Sequence, residues 1–253
     1  MEFITISVVS HGHSVQVVQL LAQLGALRTN AIAKVIVTVN SPALDTALTD
    51  AASSYPHLPV QWLHNPSPLG FGVNHNRAFA LCESAYFCVL NPDIALHSDC
   101  PDPFIALQAA LSPPAVGLVY PVQVDAQGAP LDFARALPTP RAIGQRHGLG
   151  RGAAERGVDW ASGAFLVFKS EVFRALGGFD ERYFMYCEDV DICLRMRLAG
   201  FGLAQAPATV VHHTQRRTLK NLRHLAWHVR SMWRLWQSPA YLQYQKHFMG
   251  GPR

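Results

Sequence analysis

Asp180, Glu188, Asp189 and Asp191 crowd into residues 177–200, GGFDERYFMYCEDVDICLRMRLAG, beside Tyr183, Phe184 and Tyr186. Paired acids opening a helix next to aromatic walls suit a pocket that holds a polar ligand and takes a proton from it. The same residues also have a purely structural use. First-turn acids, with Arg195 and Arg197 in the last turn, complement the helix dipole, and Asp191 pairs with Arg195 at i,i+4. Gly200 is a natural stop, and Ile192, Cys193, Met196 and Ala199 give the helix one apolar face.

Two further groups carry chemistry. Leu90-Asn91-Pro92-Asp93 places a carboxylate at the tip of an apolar strand, where it can hold a hard cation against a diphosphate, although Asp after Pro is also an ordinary turn residue. Val210-Val211-His212-His213 ends another strand, and one neutral imidazole with one carboxylate suits Mn²⁺ or Mg²⁺ completed by substrate phosphates. Strand side chains alternate, so one of the two histidines faces the site, and His212 is the preferred one.

The elements that must position these groups follow an alternating pattern. Residues 3–9, 34–39, 60–63 and 86–90 read as strands, with helical periodicity through Val17, Val18, Leu21 and Leu24 and again over 73–82 behind Gly70-Phe71-Gly72. Alternation of this kind gives an α/β fold with a mostly parallel, doubly wound sheet, whose ligands lie beyond the carboxyl ends of the strands. From Ser112 onward the grain changes, first proline-rich and then Gly/Arg-rich over 141–157, the latter either a mobile loop over the site or a solvent-exposed linker. Order returns with a strand over 164–168, a short helix over 170–176, the carboxylate segment and a strand over 208–212.

A chain of 253 residues, 49% hydrophobic and 15% charged, supports one substantial core. Its start lacks a basic signal region, and no apolar run approaches the roughly 20 residues of a membrane span, which points to the cytosol. Five cysteines without a C-x-x-C disfavour a disulfide framework and structural zinc. Residues 1–191 hold 11 basic and 17 acidic side chains, a net of −6, whereas the 62 residues after Asp191 carry ten Lys or Arg and no acid. That asymmetry suggests an anionic partner.

Six collinear stretches, KVIVTVNS, HNPSPLGFGVNHNRAFA, LNPD, VDWASGAFLVFKSEVF, GGFDERYFMYCEDVDICLRMRLAGFG and VVHH, resemble the family 2 glycosyltransferases of GT-A fold, in particular the bacterial rhamnosyltransferase-like branch. The resemblance spans about residues 3–217. It implies a catalytic domain over 1–217, with a nucleotide-sugar half to about 111 and an acceptor half beyond it, followed by a basic amphipathic helix over 218–253. Asn91-Pro92-Asp93 matches the D-x-D-type motif, implying Asp93 as metal ligand and Asn91 as nucleotide contact. Glu188-Asp189 matches the E-D motif, implying Asp189 as the base that deprotonates the acceptor hydroxyl, with Glu188 beside it. His212 matches the trailing histidine that completes a Mn²⁺ or Mg²⁺ site. Ser10, His11 and Asn40 fall where base and ribose are held, Asn76 and Arg77 at the family's N-R position, and Trp160, Gly163 and Tyr186 on the acceptor side. Two positions depart from the family pattern: Val39 replaces an Asp that reads the base, and Ser10-His11-Gly12 replaces Thr-Tyr-Asn. His11 still offers a ring on which a base can stack.

The resemblance thus implies an inverting hexosyltransferase that moves a sugar, rhamnose among the candidates, from a nucleotide-diphosphate donor to a glycan or polyprenyl-linked acceptor for cell-surface polysaccharide. The alternative is a non-catalytic carbohydrate- or nucleotide-binding subunit derived from such an enzyme. Apolar residues at 222, 225, 226, 229, 232, 233 and 236 recur at helical spacing among Arg223, Arg230 and Arg234, with Trp227 the odd member. Such a helix suits an anionic membrane surface at the inner face of the plasma membrane, or packs its apolar face on the catalytic body or a second subunit in a homodimer. Nucleic acid is excluded as a partner for want of a zinc finger or RNA-binding signature.

Overall fold

The computed structural model describes residues 3–27, 31–41, 43–45, 48, 58–96, 102–140, 157–213 and 222–250. Ile4, Ile6 and Val8 alternate with Thr5 and Ser7 along β1 (Ile4–Ser10), and all five are buried. A strand apolar on one side and small or hydroxylated on the other, buried on both, belongs in the middle of a covered sheet. Its parallel neighbours are β2 (Ile32–Val39) and β4 (Tyr86–Leu90), with β3 (Val60–His64) beyond β2. Between these run α1 (Ser14–Ala26) and α2 (Phe71–Phe79).

β5 (Ile94–Leu96), α3 (Pro103–Leu111) and β6 (Val116–Val124) follow. A two-stranded pair, β7 (Ala134–Arg135) and β8 (Trp160–Ala161), precedes β9 (Phe165–Lys169), α4 (Ser170–Ala175), α5 (Glu188–Leu198) and β10 (Gly202–His212). α6 (Leu222–Trp236), α7 (Pro239–Tyr244) and a π-helical turn (Gln245–Met249) close the described chain.

The main sheet has eight strands in the order β3-β2-β1-β4-β9-β6-β10-β5. β9 is antiparallel to both β4 and β6, so the reversal cancels and β6 runs parallel to β4; β10 runs parallel to β6. The carboxyl ends of β1, β2, β4 and β10 therefore share one edge of the sheet, and the amino end of β9 joins them. That edge is where Ser10, Asn40, Asn91, Gly163 and His212 meet.

Each face has its own core. Val17, Leu20, Leu21 and Leu24 of α1 and Phe104, Leu107 and Leu111 of α3 cover Ile4, Ile6, Val8, Cys88 and Leu90. On the other face Phe87, Val89 and Phe168 meet Phe173, Phe179 and the α5 residues Val190, Ile192, Cys193, Leu194 and Met196. A fully buried Phe in such a cluster contributes about 1.5–3 kcal/mol. α5 is buried almost all round, including Glu188 and Asp191, rather than along the single apolar face its periodicity suggests.

β6 lies inside the proline-rich stretch, where the sequence pattern marks no strand. Pro121 is tolerated because the β6–β10 register shifts between Ala206 and Thr209, skipping Pro207, and a bulge is where missing N–H groups cost least. Residues 218–253 do not form a separate appendage among the described residues. Leu235, Ala240, Tyr241 and Tyr244 join the core, Tyr244 Oη donates to Asp159 Oδ1 at 2.7 Å, and Trp236 Nε1 donates to the Pro138 carbonyl at 2.8 Å. The Gly/Arg-rich segment, residues 141–156, and Cys100 lie outside the described residues. The four described cysteines are free and buried.

Candidate active site

Asp93 and His212 meet where β4 and β10 end. The Asn91 N–H bonds the Ala164 carbonyl at 2.8 Å and the His213 N–H bonds the Asp93 carbonyl at 2.9 Å, which ties the strand tips together. His212 Nε2 lies 3.5 Å from Asp93 Oδ1, whereas the His213 side chain is exposed. His212 Nδ1 is 2.9 Å from Gln123 Oε1. An amide oxygen only accepts, so Nδ1 is the donor in that contact and Nε2 is the ring nitrogen that faces the carboxylate. Asp93 Oδ1 is buried without a hydrogen-bond partner. A carboxylate oxygen without a hydrogen-bond partner beside an imidazole nitrogen fits a divalent cation whose histidine ligand is oriented from behind. No cluster of three or more potential ligands occurs among the described residues, so a cation here would draw its other ligands from water or substrate oxygens.

The acids of α5 arrive by a strained route. Tyr186 and Cys187 both take left-handed backbone angles, φ 72 and φ 69, at a cost of about 1–2 kcal/mol each for L residues. The turn sends Glu188 inward, where it is buried with Oε2 unpartnered, and leaves Asp189 partly open to the sheet edge. Asp189 Oδ2 accepts the Gly163 N–H at 3.1 Å and Oδ1 the Val190 N–H at 2.8 Å. Burial raises the proton affinity of both carboxyls. That of Glu188 is raised further by the neighbouring Asp189 charge, while the Gly163 and Val190 N–H groups and Arg135 pull Asp189 back. Of the two, Glu188 has the environment that favours the proton more, and Asp189 is the one with hydrogen-bond donors on its carboxylate and partial exposure. The other acids serve the scaffold: Asp191 holds Arg195 at 2.7 Å and Asp180 holds Arg182 at 2.6 Å.

Gly163 links the two groups. Its N–H holds Asp189, and the next residue, Ala164, accepts from Asn91. A Cβ at 163 would lie 3.1 Å from Phe71 Cζ and 3.6 Å from Asp189 Cβ, so the glycine permits the close approach.

On the donor side several sequence candidates prove to be committed within the protein. Asn40 Oδ1 accepts from Asn65 Nδ2 at 2.7 Å and from the Leu69 N–H at 2.8 Å, and Asn40 Nδ2 donates to the Leu69 carbonyl at 3.0 Å. Asn76 clamps α2 to Phe179 through both ends of its amide, and Arg77 donates to Asn65 Oδ1. Ser10 Oγ donates to Asp45 Oδ1 at 2.7 Å. These side chains shape the donor edge, whereas the His11, Asn91 and Asp93 side chains face it with fewer ties. Sequence reasoning missed Asp45, a buried acid that also accepts from the Gly12 N–H at 3.0 Å and Ser14 Oγ at 2.9 Å. It missed Gln123 and Arg135 too, because no local pattern distinguishes a loop Asp, a strand Gln or a strand Arg that only the fold brings to the edge.

On the acceptor side Trp160 is largely buried, donates from Nε1 to the Ala136 carbonyl at 3.0 Å, and lies under the Arg135 guanidinium. The Tyr186 hydroxyl pairs with His224 Nδ1 of α6 at 2.9 Å. α6 turns His224, Trp227, His228 and Ser231 toward the body, with Phe184 and Trp227 rings 4.9 Å apart, and leaves Leu222, Leu225, Val229 and Trp233 exposed. The expectation of an apolar face packed on the catalytic body is therefore wrong for these four. Helical spacing locates a stripe but not the direction in which it faces.

An eight-stranded, mostly parallel sheet with an acid-bearing tip on β4, a trailing histidine and a carboxylate at a buried helix start is the architecture of the GT-A glycosyltransferases. Solved structures of similar fold include a mannosyltransferase from Pyrobaculum calidifontis in complex with GDP-Man and Mn²⁺ (TM-score 0.64, 14% identity, 100% of this chain and 76% of that one). Another is glucosyl-3-phosphoglycerate synthase from Mycobacterium tuberculosis with Mn²⁺ and UDP (TM-score 0.60, 14% identity, 100% and 81%). The profile described as glycosyltransferase like family 2 matches residues 3–229, and the chain belongs to that family. It is 33% identical over 210 residues to the N-acetylglucosaminyl-diphospho-decaprenol L-rhamnosyltransferase of Mycobacterium tuberculosis, covering 72% of this chain and 67% of that one. It is 41% identical over 81 residues to the rhamnosyltransferase WbbL of Escherichia coli, a match that spans 30% of either chain. These likenesses favour sugar transfer over the non-catalytic binding subunit. No helix among the described residues is long and apolar enough to cross a membrane.

Proposed function

We propose that the protein is an inverting glycosyltransferase that moves a sugar, rhamnose being the first candidate, from a nucleotide-diphosphate donor to a hydroxyl of a glycan or polyprenyl-linked acceptor. The observation that carries this reading is the placement of Asp189, partly open, on the Gly163 N–H beside the strand tips that bear Asn91, Asp93 and His212.

The donor lies along the carboxyl edge with its base near His11 and its diphosphate toward Asp93 and His212. A divalent cation held there, Mn²⁺ or Mg²⁺, would neutralise the leaving diphosphate. Asp189 accepts the proton of the acceptor hydroxyl as its oxygen forms a bond to the anomeric carbon and the bond to the diphosphate oxygen breaks on the opposite face, which inverts the configuration. Burial and the Asp189 charge raise the proton affinity of Glu188, which disfavours a second negative charge beside the diphosphate. Arg135 lowers the proton affinity of Asp189 from the acceptor flank.

The mycobacterial relative, an N-acetylglucosaminyl-diphospho-decaprenol L-rhamnosyltransferase, supports the acceptor class and rhamnose as the sugar. The exposed stripe of α6, flanked by Arg223 and Arg230, supports docking on an anionic membrane surface, where such an acceptor resides. Incubation with dTDP-, UDP- and GDP-sugars and a lipid-diphosphate-linked sugar, followed by NMR of the product's anomeric centre, tests the reading. A product of inverted configuration is expected, and a retained anomer or no transfer from any donor would overturn it.

A further inference from the structure

A groove of about 400 Å³ lies between the start of α2, residues 181–184 and α6. Its walls carry Arg182, Arg230, Arg234, Glu181, Trp227 and Phe184, with Gly70 at the α2 end. Arg182 is engaged by Asp180, and Glu181 accepts from Asn76 Nδ2 at 3.0 Å. Arg230 and Arg234 form no ion pair with any described residue, and the sequence has no acid after Asp191 that could supply one on their own helix. The groove is thus a fixed concavity of net positive charge, with two guanidiniums without ion pairs against the one Glu181 carboxylate. The Ser231 hydroxyl holds α6 to the Met185 carbonyl at 2.7 Å, and the Phe71 N–H holds α2 to the Phe184 carbonyl at 2.9 Å.

Its position relates it to the chemistry. Gly70 on the groove wall precedes Phe71, whose ring lies against Gly163, and the Gly163 N–H bonds Asp189. The groove is thus joined to Asp189 through Phe71 and Gly163. On its other side, the same helix that supplies Arg230 and Arg234 exposes Leu222, Leu225, Val229 and Trp233.

We infer that the groove is the subsite for the diphosphate of a lipid-linked acceptor, with Arg230 and Arg234 gripping the phosphate oxygens and the lipid leaving along the exposed stripe of α6. Guanidinium forks match phosphate oxygens in pairs, and an apolar stripe next to them selects an anion that carries a hydrocarbon chain over a free one. This assignment rests on the reading of the protein as a transferase with a lipid-linked acceptor.

The test is calorimetric titration in EDTA, which strips any cation from Asp93 and His212, using farnesyl diphosphate, farnesol and inorganic diphosphate as probes. The proteins compared are wild type, Arg230→Ala/Arg234→Ala and Arg230→Lys/Arg234→Lys, each checked for an unchanged melting profile. Farnesyl diphosphate should bind wild type, bind the alanine pair about tenfold or more weakly, and recover in part with the lysine pair; farnesol should not bind. Equal affinity of wild type and the alanine pair for farnesyl diphosphate, or no binding to wild type, overturns the subsite. Inorganic diphosphate binding as tightly as farnesyl diphosphate would make it a free-anion site and overturn the lipid-linked assignment. Sugar transfer by a protein whose farnesyl diphosphate affinity ignores both arginines would reject the groove and keep the transferase. Arginine-dependent binding without transfer to any acceptor would do the reverse.

Discussion

His212 points Nε2 of its ring at Asp93 Oδ1, 3.5 Å away, because Gln123 Oε1 takes Nδ1 at 2.9 Å from behind. The arrangement is a carboxylate and an imidazole held ready for a cation by a third residue. Gln123→Ala should therefore weaken Mn²⁺ binding about tenfold in the presence of a nucleoside diphosphate, with some loss of stability because Gln123 is itself buried. Titration followed by electron paramagnetic resonance reads this directly, and an unaltered Mn²⁺ affinity in Asp93→Ala would remove the pair from the metal's path.

Asp189→Asn keeps the shape and an acceptor oxygen for Gly163 but removes the base. Turnover should fall by about 10²–10⁴ with donor affinity retained. Near-normal kcat in that variant would place proton transfer on another residue.

The proton affinity of Asp189 is raised by burial, so acceptor kcat/KM should climb with pH along a limb displaced above the ordinary carboxylate range and level off once Asp189 is ionised. A profile flat down to about pH 4 would contradict the assignment.

Glu188 provides a separate pH signature, in stability. Its folded-state pKa is raised well above that of the unfolded chain, so the unfolded chain releases the proton first as pH rises, and stability declines between the two values. Glu188→Gln should remove that slope. The variant should match wild type near about pH 4 and exceed it by about 1 kcal/mol or more at the alkaline end, each tenfold difference in proton affinity being worth about 1.4 kcal/mol. Urea unfolding across pH measures it, and parallel wild-type and variant curves would refute it.

Gly163→Ala puts a methyl group 3.1 Å from Phe71 Cζ and displaces the N–H that holds Asp189. We expect a loss of about 1–3 kcal/mol of stability and more than about tenfold in turnover. A fully active alanine variant would show that the contact can relax without moving the base.

Asp45→Ala deletes the acceptor of Ser10, Gly12 and Ser14 at the tip of β1 and should cost about 2–4 kcal/mol, with Asp45→Asn milder because it keeps one acceptor oxygen. Thermal unfolding of the two variants discriminates this anchoring role from a purely surface acid.

How far these groups could be read in advance depended on whether the signal was local. Tyr86–Leu90 was legible with its bounds because five consecutive apolar residues between turn formers have one economical use, a buried strand. The acids at the start of α5 and the tip at Asp93 were legible for the same reason, each being a short run whose residue types act together. β6 was not, since Pro121 argues against a central strand until the bulge opposite it in β10 is seen.

The order of residues by itself determined the alternation of strands and helices, the stretches that carry the carboxylates and the histidine, and the apolar stripe of α6. Only the tertiary structure decided that Gln123, Asp45 and Arg135 come to the same edge, that Asn40 and Asn76 are bound up in the scaffold, and that the α6 stripe faces outward. The physical reason is that periodicity fixes which residues share a face, whereas the direction of that face, and which distant polar atoms satisfy one another there, is settled by the packing of the whole sheet.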